Sequence, residues 1–212
     1  MNEVFENNGL MAQLRNFYIS NKKVILVALA LFIAIFSFYL INNQLTKTSN
    51  EEAAKIYNQW ISQETETKNG KLISDSLFNN LVSSYKKTGY AKIALLKEAS
   101  LEAKNGNLNI ALEYFLALKD STEGIGENEL FNKIASINSA RIMYSLEDYD
   151  GALKVLEKYS SSNAFIHELI GDILYKQAKL DLAKEQYNLA MAKYTDDASI
   201  SIISMKISNL TL

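Results

Sequence analysis

The chain has no cysteine, no proline and one histidine. Without cysteine there is no disulfide, no thiolate metal site, no CxxC redox chemistry and no cysteine nucleophile. The single histidine, His167, leaves no multi-histidine zinc site and no HExxH protease. Only 8 glycines and no prolines interrupt 212 residues, as suits a chain that is helical for most of its length. A basic excess is also missing. The 22 Lys+Arg stand against 24 Asp+Glu, net charge -2, and only Arg15 and Arg141 carry a guanidinium. With so little to grip phosphate, a nucleic-acid partner is disfavoured. The length fits one domain, or one domain plus an anchor.

One long apolar run is present. Val24 to Ile41 reads VILVALALFIAIFSFYLI, 18 residues without a charge. At about 1.5 Å per residue it spans roughly 27 Å, close to a bilayer core. Thirteen of the 18 are Val, Ile, Leu or Phe. At about -0.5 kcal/mol each, they favour insertion by roughly 6 kcal/mol. The run exceeds a signal-peptide core of about 7–15 residues. It is followed by Asn42-Asn43-Gln44-Leu45 rather than a small-x-small cleavage site. An uncleaved signal anchor is expected. Arg15, Lys22 and Lys23 precede the run, whereas Lys47 and Lys55 are the nearest cations after it. That bias favours a cytoplasmic N-terminus, with the rest of the chain across the membrane. Leu10, Met11, Leu14, Phe17 and Tyr18 recur at helical spacing. They make either a short amphipathic helix at the inner surface or the start of the membrane helix.

The expected organisation is therefore a cytoplasmic segment 1–23, a membrane span 24–41, a linker or helix continuation 42–50, and a soluble domain 51–212. Ser49-Asn50-Glu51-Glu52 matches a capping box opening a helix with Ala53, Ile56, Tyr57, Trp60 and Ile61 on one face. Asn69-Gly70 would end it. A second helix is expected from about Ser74 to Lys87, with Gly89 as its terminator.

Repetition follows. Ala99, Ala140 and Gly171 are small residues in equivalent first helices, and twelve residues later come Ala111, Ala152 and Ala183. Leu108, Tyr149 or Leu180 sits three residues before each of those alanines, and Phe115, Leu156 or Tyr187 four residues after. Small residues at crossing points let paired helices approach closely. The large residues cover the turn and pack into the next unit. No such unit buries its apolar face alone, so the units must stack. The alanines lie 41 and then 31 residues apart. The long interval holds the polar stretch Asp120–Glu129, and the short one trims the linker at Ser160–Asn163. Asp197 to Leu210 is expected as a capping helix. The predicted fold is all-α: a membrane anchor followed by about nine helices in a right-handed helical-hairpin solenoid.

This register resembles the tetratricopeptide repeat, whose unit is about 34 residues. GNLNIALEYF and EDYDGALKVL look like its turn and second helix, and LIGDILYKQAKLDLAKEQYNLAM resembles a full unit. The repeat's usual aromatic near the start of the first helix is missing, and no proline closes any unit. The whole pattern resembles the YfgM-like family of ancillary SecYEG translocon subunits, most specifically in GYAKIALLKEASLEA, the third repeat and Met205-Lys206-Ile207-Ser208-Asn209-Leu210. That resemblance implies a bacterial inner-membrane protein with a periplasmic repeat domain. It implies association with the SecYEG translocon and a PpiD-like membrane-anchored chaperone, near emerging secreted chains.

No catalytic constellation stands out, and no cofactor or metal is implied. His167 lies beside Phe165, Ile166 and Ile170 and reads as a packing residue. Gly124-Ile125-Gly126 lacks the strand-to-helix context of a phosphate loop. Glu147, Asp148 and Asp150 miss calcium-loop spacing and suit a helix start, where acids favour the dipole. Asn209-Leu210-Thr211 is a glycosylation sequon by letters only. The sharper expectation is a groove. In the repeat register its outward residues are Ser100, Lys104, Arg141, Tyr144, Ser145, Glu168, Asp172, Tyr175 and Lys176. Aromatics among mixed charges suit low-specificity contact with extended peptide. The alternative is an ordinary hydrated surface with Tyr144 and Tyr175 half tucked into the core. Clamping of a terminal carboxylate is disfavoured, because Glu168 and Asp172 would repel it. Two other classes remain open: an envelope scaffold for cell division or wall synthesis, and a hydrolase using Glu168 and Asp172, four residues apart on one helix face.

Overall fold

A computed structural model describes residues 3–63, 68–124 and 128–211. Nine α-helices and no strand occur among them. The chain divides into two units, 1–52 and 53–212.

The described residues of the first unit lie within helix α1, Glu3–Ile61. Its apolar stretch is long enough to cross a membrane, and none of it is buried. Met11, Leu14, Phe17 and Tyr18 are exposed like the apolar run itself. The side chain of Leu10 lies outside the described residues. The expected capping box at Ser49–Glu52 caps nothing, because α1 continues through it. The physical reason is in the sequence. No proline or glycine falls between Asn42 and Ile61, so nothing ends the helix. Thr46 turns its hydroxyl back to the Asn42 carbonyl, 2.9 Å away, as a residue inside a helix does.

The second unit begins with the last residues of α1. Ala53 and Trp60 are buried there, and Tyr57 and Phe78 flank the Trp60 ring. Helix α2 spans Lys68–Ser84, not Ser74–Lys87. Asn69-Gly70 therefore does not end a helix; it lies in the first turn of α2. Glycine keeps its backbone N–H and costs a helix only about 1 kcal/mol relative to alanine, so it need not end one. Gly89 does not terminate α2 either. It opens α3 (Gly89–Lys104), where the Thr88 hydroxyl accepts from the Ala91 N–H at 3.3 Å.

Three hairpins follow. They pair α3 with α4 (Leu108–Asp120), α5 (Glu129–Ser145) with α6 (Tyr149–Leu156), and α7 (Ala164–Lys176) with α8 (Leu180–Lys193). Ala99, Ala140, Ala111, Ala152 and Ala183 are fully shielded, and Gly171 is buried. Phe115, Leu156 and Tyr187 are buried beside them, Leu108 and Tyr149 are half-buried, and Leu180 is exposed. Each hairpin turn has one residue with positive φ at the same register: Gly106 (84°), Glu147 (63°) and Ala178 (57°). Asp148 caps α6, accepting from the Gly151 N–H at 3.0 Å, and Asp150 lies in the first turn. Of the G-x-G, Ile125 and Gly126 lie outside the described residues. Buried Asn132 ties the end of α4 to the later chain. It donates to the Lys119 carbonyl (2.9 Å) and accepts from the Tyr159 hydroxyl (2.8 Å). Helix α9, Asp197–Ser208, closes the domain with Ile203 fully buried. A short 3₁₀ turn over Asn209–Thr211 follows it.

Candidate functional site

First helices of the three hairpins line one cavity of about 660 Å³. α3 contributes Ser100, Ala103 and Lys104; α5 contributes Asn138, Arg141, Ile142, Tyr144 and Ser145; α7 contributes Phe165, Glu168, Leu169 and Asp172. Phe115 of α4 also lines it. Seven of the nine groove residues read from the repeat register thus share one cavity. Tyr175 and Lys176 instead line an adjoining recess of about 290 Å³ with Tyr144, Asp172, Tyr187, Lys206 and Asn209. Sequence reasoning missed Phe165, which is 40% exposed. It lies one turn before Glu168 on the same helix, and that i,i+3 spacing was the available signal.

The aromatics behave differently from each other. Tyr144 is half-buried and meets Tyr149 edge-on at 6.0 Å, whereas Tyr175 is exposed. The Ser100 and Ser145 hydroxyls are turned back to the carbonyls of Leu96 and Arg141, at 2.7 and 3.0 Å.

The carboxylates on α7 are not free. Lys206 Nζ of α9 lies 2.7 Å from Glu168 Oε1 and 2.7 Å from both Asp172 oxygens. The Tyr194 hydroxyl donates to Glu168 Oε2 at 2.6 Å, and the Tyr187 hydroxyl donates to Asp172 Oδ1 at 2.8 Å. Burial and these hydrogen bonds push both phenols well above the ordinary tyrosine range. Burial pulls Lys206 down, but its bonds to Asp172 and Glu168 outweigh that, and the ammonium ends above its usual value. Lys206 of the capping helix offsets one of the two negative charges on Glu168 and Asp172, which weakens the repulsion expected of them toward a carboxylate. They also do not form a free acid–base pair of the kind a hydrolase needs.

His167 is buried, with Nδ1 donating to Gln186 Oε1 at 2.8 Å, so it acts as a packing group tying α7 to α8. Among the described residues no three His, Asp or Glu side chains converge as metal ligands.

A tetratricopeptide repeat-like domain family matches residues 15–212. An ancillary SecYEG translocon subunit of Aggregatibacter actinomycetemcomitans is 25% identical over 135 residues, 63% of this chain and 64% of the relative. The chain thus spans less than two thirds of that relative's length. No solved structure matches. The family match covers nearly the whole chain and accords with the hairpin register, and the chain belongs to the tetratricopeptide repeat-like domain family.

Proposed function

We propose that this protein is a membrane-anchored protein-binding subunit of the Sec translocon's surroundings. In this reading residues 24–41 span the inner membrane, residues 1–23 stay in the cytoplasm with Arg15, Lys22 and Lys23 holding them there, and residues 51–212 form a periplasmic repeat domain. That domain contacts a PpiD-like membrane-anchored chaperone or emerging secreted polypeptides. The observation that carries the reading is the open cavity on the first helices. It is lined by Tyr144, Phe165 and mixed charges, a surface suited to holding another chain rather than to bond chemistry. Pairing of Glu168 and Asp172 with Lys206 supports a binding protein over an enzyme. The relative described as an ancillary SecYEG translocon subunit supports the choice of partner.

The test is photo-crosslinking in native membranes, with the crosslinker placed in turn at Tyr18, Tyr144 and Tyr175. Translocon subunits captured from Tyr18, with a chaperone or secreted chains captured from the groove positions, are the expected products. Capture of division or wall-synthesis proteins instead would replace this reading with an envelope scaffold.

A further inference from the structure

The charged groups of the groove fall into two kinds. On α7, Glu168 and Asp172 share the Lys206 ammonium at 2.7 Å and receive the Tyr194 and Tyr187 hydroxyls. On the other first helices, exposed Lys104 of α3 and Arg141 of α5 line the same cavity. Neither side chain has a hydrogen bond or ion pair among the described residues. The cavity is also lined by buried Phe115, Ile142 and Leu169, and by Phe165, whose side chain is exposed.

A cavity with satisfied acids and unsatisfied cations discriminates by sign. A partner's lysine entering it meets Lys104 and Arg141, and finds the α7 carboxylates already paired. A partner's carboxylate meets two cations with open hydrogen-bonding capacity, one of them a planar fork that donates to both oxygens at once. Counting Lys206, the two carboxylates and the two exposed cations together leaves one positive charge in excess, and complementarity of sign steers and selects partners more than it adds raw affinity. Phe165 and the apolar lining supply the burial that a charge contact lacks.

We infer that the groove selects an extended polypeptide segment in which acidic side chains, received by Arg141 and Lys104, are flanked by apolar side chains that settle against Phe165 and Tyr144. This rests on reading the repeat domain as protein-binding, and it narrows that reading from mixed-charge, low-specificity contact to a class of sequence. Segments rich in lysine or arginine are excluded from the groove.

The test uses the full-length chain in nanodiscs of neutral lipid, with empty nanodiscs as the blank. Three fluorescein-labelled peptides, acetylated and amidated at their ends, share a leucine-and-serine framework and differ only in carrying glutamate, glutamine or lysine at the central positions. Binding is read by fluorescence anisotropy. The glutamate peptide should bind about tenfold tighter than the glutamine peptide, equivalent to about 1.4 kcal/mol. That preference should shrink in added salt. It should be reduced in Lys104→Gln and in Arg141→Gln, abolished in the double variant, and partly kept in Arg141→Lys. Phe165→Ala should weaken all three peptides alike and leave the preference intact. Both cations are exposed, so these variants test binding rather than folding.

The inference is overturned if the lysine peptide binds as well as the glutamate peptide, if the preference survives in the double variant, or if no peptide binds. It is also overturned if a peptide with a free C-terminal carboxylate and no glutamate outcompetes the internal glutamates, since the groove would then read chain ends. Translocon capture from Tyr18 in native membranes should be unchanged by Arg141→Gln, so failure of the translocon assignment and failure of this inference show in different experiments.

Discussion

Gly171 shows how one residue's chemistry is settled by its neighbour. A Cβ built there would lie 2.6 Å from Cδ1 and Cε1 of the Tyr187 ring. That ring cannot swing freely, because its hydroxyl is bonded to Asp172. Replacing glycine by alanine inside a helix ordinarily gains about 1 kcal/mol. Overpacking a tight contact costs about 1–3 kcal/mol. The clash should win, and Gly171→Ala should lower stability by roughly 1 kcal/mol in urea melts. Lys206 is a second such residue, and its ion pairs are largely shielded, with side-chain exposures of 28%, 18% and 27% for Lys206, Glu168 and Asp172. Lys206→Met should cost about 1–2 kcal/mol near neutral pH, between a surface pair and a buried one. The folded state raises the Lys206 ammonium above its usual 10.5. A raised value contributes stability that is complete below pH 10.5 and is lost as pH climbs through the higher folded value. The Tyr187 phenol, also raised, acts in the same direction. Thermal melts followed by circular dichroism from neutral to strongly alkaline pH should therefore fall less steeply for Lys206→Met than for the wild type.

At the scale of the element, the hairpin turns carry a repeated backbone requirement. Gly106, Glu147 and Ala178 occupy one register position in the left-handed region, but only the first hairpin supplies glycine. A side chain there costs about 1–2 kcal/mol. Ala178→Gly and Glu147→Gly should each stabilise the domain by several tenths of a kcal/mol to about 1 kcal/mol, the loss of unfolded-state order offsetting part of the gain. Thermal melts of the two variants, alone and combined, check this; a loss of stability in either would contradict it. The turns show why parts of the fold were legible and others not. Helical hairpins could be read because small and large residues recur at fixed spacing, and burying them requires stacking. At 42–50 the sequence left a linker or a helix continuation open, and the continuation holds because the helical sequence around Ser49–Glu52 is uninterrupted; the start of α2 was misread because Asn69-Gly70 has the local chemistry of a helix end but lies in a first turn. In the groove, register placed Arg141, Tyr144 and Glu168 in one cavity, since residues on equivalent first helices face the same side. It could not reveal that α9 returns Lys206 to α7, a contact 34 and 38 residues distant in sequence. That one long-range contact turns a balanced set of groove charges into one with a single positive charge in excess.

For the whole molecule, the decisive question is which side of the membrane the repeat domain occupies, because it determines which partners the groove can meet. The charges that set it are few: Arg15, Lys22 and Lys23 before the apolar run, Lys47 and Lys55 after it. Lysines close to the span weigh most in holding a flank in the cytoplasm. Lys22 and Lys23 directly precede Val24, so they should dominate. The absence of native cysteine makes this measurable without background. A single Ser161→Cys, at an exposed site between α6 and α7, should react with a membrane-impermeant maleimide from the periplasmic side of intact cells whose outer membrane has been opened. Gln13→Cys, exposed on the other flank, should react only after the inner membrane is breached. Adding Lys22→Glu and Lys23→Glu removes the two nearest cations and leaves Arg15 against Lys47 and Lys55. The labelling of the two sites should then become mixed, with part of the population inverted. If Ser161→Cys is protected in the wild-type background, the repeat domain is cytoplasmic, and a groove that selects acidic segments serves partners on that side instead.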